Sequence, residues 1–320
     1  MTSRYIPNPF PDYDGQNYLS QDNPDCLRED CSKFITKNLE RLFPYWEKNI
    51  DRNYTTDKSV YTGLSGAAIL YLKAFQSNLF FDVTYLNKCS LITQNYNFDN
   101  NNVPTFLCGE IGKLVVIALT REKLGKNYNS YLNKIASAQS LICDTNVPNE
   151  ILYGRAGYLY SLLFIRSQIE NSSNIITDNL IRSVITSILN SGIEASKCST
   201  IESPLVYFWN NEPYVGAAHG YAGIVYLLLE SKNFLTLEEL NNLVKPTIDF
   251  ICSLKFKNSS NFPACIGEKD DELVHWCHGS PGVIHLLVLA YRTFGESNYL
   301  QIASMAADDI WERGLLKKGI

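Results

Sequence analysis

The sequence predicts an all-α chain of helical hairpins, and three observations predict it. Five G-x-x-G units recur along its 320 residues. Each is followed by a segment that is apolar almost all round, and no strand-like alternation of useful length competes with them. Between the apolar segments lie ordinary amphipathic helices, so buried and half-buried helices alternate.

The units are Gly63-Leu64-Ser65-Gly66, Gly109-Glu110-Ile111-Gly112, Gly154-Arg155-Ala156-Gly157, Gly220-Tyr221-Ala222-Gly223 and Gly279-Ser280-Pro281-Gly282. Eighteen glycines scattered at random over this length would form roughly one such unit. The intervals between first glycines are 46, 45, 66 and 59 residues, enough for a helix pair and a variable loop. The segments AAILYLKAF, KLVVIALT, YLYSLLFIR, IVYLLLE and VIHLLVLAY have no polar face, and such helices must be buried. Residues 177–190 place Leu180, Ile181, Val184, Ile185, Ile188 and Leu189 on one stripe, and residues 298–312 do so with Tyr299, Ile302, Ala306 and Ile310. Thr236 and Glu239 form a capping box before Leu240 and Leu243. The glycines let the backbone turn sharply and let the first turn of each buried helix approach its neighbours. In a ring of hairpins the buried helices point their N-termini to one end, where unpaired N–H groups favour an anion, a carboxylate or a thiolate. Periodicity alone serves an open scaffold solenoid equally well.

Composition excludes several classes. Lys and Arg total 28 against 33 for Asp and Glu, so a net charge of −5 offers no footprint for nucleic acid or an anionic membrane. No apolar run is long enough to span a bilayer. The start, MTSRYIPNPFPDYDG, has prolines where a signal peptide needs an apolar run, and Thr2 excludes N-myristoylation. A cytoplasmic location is expected, with peripheral association at the plasma membrane as its variant. Nine cysteines without a C-x-x-C are expected as reduced, mainly buried thiols.

The residues before each first glycine are Thr62, Cys108, Tyr153, His219 and His278. The last two turns thus collect His219, Cys277 and His278, with His275 nearby; His285 is expected as a hydrogen-bonded core residue. A thiol at a helix N-terminus has a lowered pKa, which suits Cys277 to be a metal ligand or a nucleophile. Glu110 and Glu150 lie in or beside glycine turns, where they serve as acid–base groups or as partners of the helix dipole. Lys269-Asp270-Asp271-Glu272 and the Asn-rich stretch 95–102 are expected as solvated loops. Tyr207, Phe208, Trp209 and Tyr214 line a pocket or, as the better expectation, pack in the core.

The segments YTGLSGAAILYL, FLCGEIG, PNEILYGRAGYLYSLLF, YVGAAHGYAGI, LVKPTIDFICSLKF, LVHWCHGSPGVIHLL and IWERGLLKKGI resemble the LanC-like family, the eukaryotic relatives of bacterial lanthionine synthetase cyclases. R-Y-I-P-N-P at the start resembles the eukaryotic branch. The resemblance covers essentially the whole chain and implies an α/α toroid, residues 1–320 forming a single domain. In the family a zinc held by two cysteines and a histidine activates a thiol, which adds to the β-carbon of a dehydrated serine or threonine. The eukaryotic members resemble glutathione transferases. By match, Cys277 is the first zinc ligand, His219 the acid that protonates the enolate carbon, and Glu150 an accompanying acid. His278 takes the place of an aromatic residue behind the ligands, and Arg4 and Lys318 match basic residues near glutathione. Leu273 stands where the bacterial cyclases carry arginine, which favours glutathione over peptide cyclisation. The other two zinc ligands are expected just beyond Ile320, with the hairpins that complete the ring, so zinc binding by these 320 residues is expected to be weak or absent. The expected partners are glutathione and dehydroamino-acid-containing peptides or proteins. Two alternatives stay open: a non-catalytic adaptor holding glutathione, a kinase or an SH3 domain, and a glycosidase-type toroid using Glu110 and Glu150.

Overall fold

The structure, a computed structural model, describes residues 4–12, 17–23, 26–53, 57–77, 83–94, 104–144 and 146–317. Among them there is no β-strand, and no helix is long and apolar enough to cross a membrane. The Asn-rich stretch 95–102 and Lys318 lie outside the described residues.

The chain divides into two compact units, Pro9–Tyr96 and Met1–Asn8 with Asn97–Ile320. The smaller holds α1 (Glu29–Asn53), α2 (Leu64–Gln76) and α3 (Val83–Gln94), with Phe43, Trp46, Tyr71 and Tyr85 meeting ring to ring. The larger continues with α4 (Glu110–Lys123), α5 (Asn129–Ser137), α6 (Gln139–Ile142), α7 (Arg155–Gln168), α8 (Asp178–Lys197) and α9 (Tyr221–Glu230). After α10 (Leu237–Glu239) comes a π-helical turn over Leu240–Val244, then α11 (Lys245–Ser253), α12 (Ser280–Phe294) and α13 (Ser297–Arg313). The apolar helices form one layer, α4 against α7, α7 against α9 and α9 against α12; each also packs on a following amphipathic helix.

The expected stripe of α8 is buried throughout, and Thr177 caps the helix by accepting the Leu180 N–H at 3.2 Å. The capping box is present, and its Glu239 carboxylate also takes both arms of the Arg182 guanidinium on α8, at 2.8 and 2.5 Å. The α13 stripe differs from expectation. Ile302 and Ile310 are half-buried, while Ala303 and the charged Asp309 face inward. Arg313, one turn on, meets Asp309 at 3.2 Å and makes that burial tolerable.

The glycine units work by space. The cap glycines of α2, α4, α7 and α9 have extended backbone that any residue adopts. What excludes a side chain is the carbonyl six residues back. A Cβ on Gly154 or Gly157 would come 2.4 or 2.0 Å from the Pro148 or Ile151 oxygen, and on Gly220 or Gly223 2.2 or 2.0 Å from that of Tyr214 or Ala217. The preceding loop thus folds over its own helix start, and its carbonyls seven residues back take the free N–H groups. Arg155 N–H donates to Pro148 (2.9 Å), Ala156 to Asn149 (3.1 Å), Tyr221 to Tyr214 (3.0 Å) and Ala222 to Val215 (2.9 Å). These N–H groups are spent on backbone, which corrects the expectation that they stand open to an anion.

Candidate functional site

The loops before α4, α7, α9 and α12 are stitched to one another. Thr105 Oγ1 donates to the Leu152 carbonyl (2.6 Å), Ile151 N–H to Ala218 (3.2 Å) and Ala217 N–H to Trp276 (3.3 Å). The last of these approaches depends on Gly216, where a Cβ would lie 1.9 Å from the Cys277 carbonyl oxygen. Glu150, His219 and Cys277, drawn from three different repeats, are therefore carried on adjoining turns.

Glu150 and His219 meet directly. The His219 Nδ1 lies 2.8 Å from Glu150 Oε2, with the carboxylate side chain 1% exposed and the imidazole 21%. The same carboxylate accepts the Leu152 N–H at 2.9 Å and the Tyr153 N–H. A carboxylate that already accepts two backbone N–H groups is matched by an Nδ1–H donor, the tautomer of His219 that leaves Nε2 as the second polar atom of the ring. Trp209 stacks on the imidazole at 5.2 Å and 7°, and Tyr153 stacks on Trp209 at 5.9 Å. Trp209 and Tyr214 thus belong to the site, Tyr207 is buried in the core, and Phe208 is exposed.

Tyr214 leans on both histidines, 6.1 Å from the His219 ring and 5.3 Å from that of His278. His278 Nδ1 is buried without a partner. Burial holds the His278 pKa below its ordinary value, His219 and His275 add to this, and Glu268 opposes it. Cys277 is half-buried, and burial pushes its thiol up. This reverses the expected lowering, because loss of solvent around the sulfur outweighs the Cys277 and His278 backbone hydrogen bonds that favour the thiolate.

Other expectations fare variously. Glu110, the first residue of α4, pairs with Lys113 one turn on at 2.8 Å. Arg4 pairs with Glu272 at 3.1 Å, and its segment runs beside residues 315–317, Tyr5 bridging Leu316 and Lys317 N–H donating to Arg4. Asp271 is no free loop acid: Arg313 grips it with two bonds, at 2.9 and 3.1 Å. His285 is exposed on the wall of a cavity of about 290 Å3, not hydrogen-bonded in the core. That cavity is lined mainly by apolar side chains, including Ile151, Ala217 and Trp276 from the three site turns. Of nine thiols, Cys89 alone is fully buried, because most cysteines fall in loops or on helix flanks.

The profile of the family described as lanthionine synthetase C-like protein matches residues 54–320. The chain belongs to this family. It is 37% identical over 326 residues to the protein named glutathione S-transferase LANCL1 of Danio rerio, covering 99% of this chain and 79% of that one. The solved structure of nisin cyclase superposes with a TM-score of 0.64 at 16% identity, covering 90% of this chain and 78% of that chain. At that identity the likeness concerns the fold, and the chain has the family's α/α-toroid fold class.

Proposed function

We propose that the protein promotes addition of the glutathione thiol to the double bond of dehydroamino acids in peptides or proteins. The relative's name points to glutathione, and the observation that carries the chemistry is the buried Glu150–His219 pair at 2.8 Å. In the reaction the sulfur–β-carbon bond forms, the π electrons move to the α-carbon and its carbonyl as an enolate, and a proton quenches the α-carbon. The thiol loses one proton and the α-carbon gains one, so nothing else is consumed. His219 takes up a proton on Nε2 as the thiol gives one up and delivers it to the α-carbon, and Glu150 stabilises the imidazolium that holds it in between.

Arg4 and Lys318 would meet the carboxylates of glutathione. The Arg4–Glu272 pair is more than half exposed, and such pairs contribute about 0–1 kcal/mol, so Arg4 can change partner at little cost. Zinc on Cys277 belongs to this reading through the resemblance. A catalytic zinc needs three protein ligands, and among the described residues no group of three or more His, Cys, Asp or Glu is placed to hold a metal. The residues described thus offer Cys277 without its companions.

The test is glutathione addition to a dehydroalanine peptide, followed by mass spectrometry. His219→Asn and Glu150→Gln should each lose about 10²–10⁴-fold in turnover, the usual worth of a positioned proton donor, while glutathione binding by calorimetry is retained. Turnover of both variants at the wild-type rate would overturn the reading, and glutathione binding without turnover by the wild type would favour the adaptor.

A further inference from the structure

The turn that carries Cys277 is held differently from its counterparts. At α7 and α9 the helix start is capped by carbonyls of its own loop. At α12 the Ser280 N–H donates instead to Oδ1 of Asn261, at 2.8 Å and from nineteen residues upstream. The amide nitrogen of Asn261 donates to the Leu273 carbonyl and to Asp271 Oδ1, each at 2.9 Å. Asn261 is fully buried. One side chain therefore closes both ends of the segment 273–280, within which His275, Trp276, Cys277 and His278 lie.

Gly279 is shaped to this contact. Its φ of +117° is a conformation that side chains resist, and a Cβ there would come 2.9 Å from Asn261 Oδ1 and 2.4 Å from the Leu273 oxygen. The other four cap glycines lack the positive φ. From the far side, Arg313 of α13 grips the carboxylate of Asp271 that receives the Asn261 amide.

We propose that Asn261 is a positioning residue that holds Cys277 and His278 in register with the Glu150–His219 pair by clamping their loop at Leu273 and Ser280. The chemistry calls for a short amide, because the side chain must accept from one backbone group and donate to another. Aspartate would present an acceptor to the Leu273 carbonyl and a charge to Asp271. This inference rests on reading Cys277 as the functional sulfur, but its test needs no turnover, so the two can fail separately.

The test is alkylation of the folded chain with iodoacetamide, read by mass spectrometry at individual cysteines. Cys252 on α11, in the same unit and pushed up to about 12 by burial, is the internal reference. Asn261→Ala should raise the rate at Cys277 relative to Cys252 by about ten-fold or more, the equivalent of losing a net hydrogen bond or two from the clamp. Asp271→Ala, at a half-exposed position, removes one of the acceptors and should raise the ratio by a smaller factor. Leu132→Ala, in the core of α5, should destabilise the unit and leave the ratio unchanged. Should Asn261→Ala fail to fold, Asp271→Ala decides by the same ratio. A ratio unmoved by the clamp variants, or moved equally by Leu132→Ala, overturns the proposal.

Discussion

A single methyl group at Gly216 should separate the turn of His219 from the turn of Cys277. Its carbon would sit 1.9 Å from the Cys277 carbonyl oxygen, 2.6 Å from the carbonyl carbon and 3.0 Å from the His278 Cα. All three are backbone atoms, so no rotamer change relieves the clash. Ordinary contact begins near 3.4 Å, so the turns must part by about 1.5 Å, and the Ala217–Trp276 hydrogen bond at 3.3 Å cannot survive that movement. Overpacking of this kind costs about 1–3 kcal/mol and the lost bond about 1 kcal/mol, so Gly216→Ala should destabilise by roughly 2–4 kcal/mol. A domain with about 5–15 kcal/mol in hand stays folded. Urea denaturation should show a lower midpoint at an unchanged slope. The proposed glutathione addition, measured on the folded fraction, should fall about 10²-fold, the consequence of misplacing reacting groups by about an ångström. A variant with the wild-type midpoint and rate would refute the close approach of these two turns.

Two further outcomes follow from side chains away from the site. Burial pushes the Asp309 carboxyl up to about 6, with Asp271 and Glu312 adding and Arg313 opposing, and its Oδ2 has no partner. The folded state therefore keeps a proton that an unfolded aspartate, with a pKa of about 3.9, has released, and stability falls as pH rises through the window from about 4 to about 6. Asp309→Asn removes this fall and should gain on the wild type by about 2–3 kcal/mol between pH 4 and pH 7 in denaturation midpoints; parallel pH profiles would contradict the assignment. Thr236→Ala removes the cap on α10 and should cost about 1 kcal/mol, with faster hydrogen exchange at the Glu239 amide. Because the box partner Glu239 also grips Arg182, exchange should rise on α8 around Arg182 too, and a change confined to α10 would deny that coupling.

Helix starts were legible because their causes are local. A G-x-x-G marks a loop that must fold over its own helix, and at the units opening α2, α7, α9 and α12 the carbonyl that excludes the Cβ comes from only six residues back. The α8 stripe and the Thr236–Glu239 box likewise depend on spacings of three or four residues. His219 and Cys277 stood out for the same reason, as chemically capable residues at the end of such loops. Tyr153 holds the same place in its repeat as His219, and in the structure both rings stack on Trp209, which the sequence alone assigned to the core.

The pairing of Glu150 with His219 across 69 residues had no local signature. Nor did the grip of Asn261 on the Cys277 loop, the inward turn of Asp309 or the exposure of His285. Each is set by which turn lies beside which once the apolar helices have packed, and loop-to-loop bonds such as Ala217–Trp276 then determine the register. Periodicity and capping tell the chain where to coil, since those forces act within a turn or two. Which polar groups meet is decided by burial, because a carboxylate or amide taken out of water must find its partner wherever the packed helices have left one.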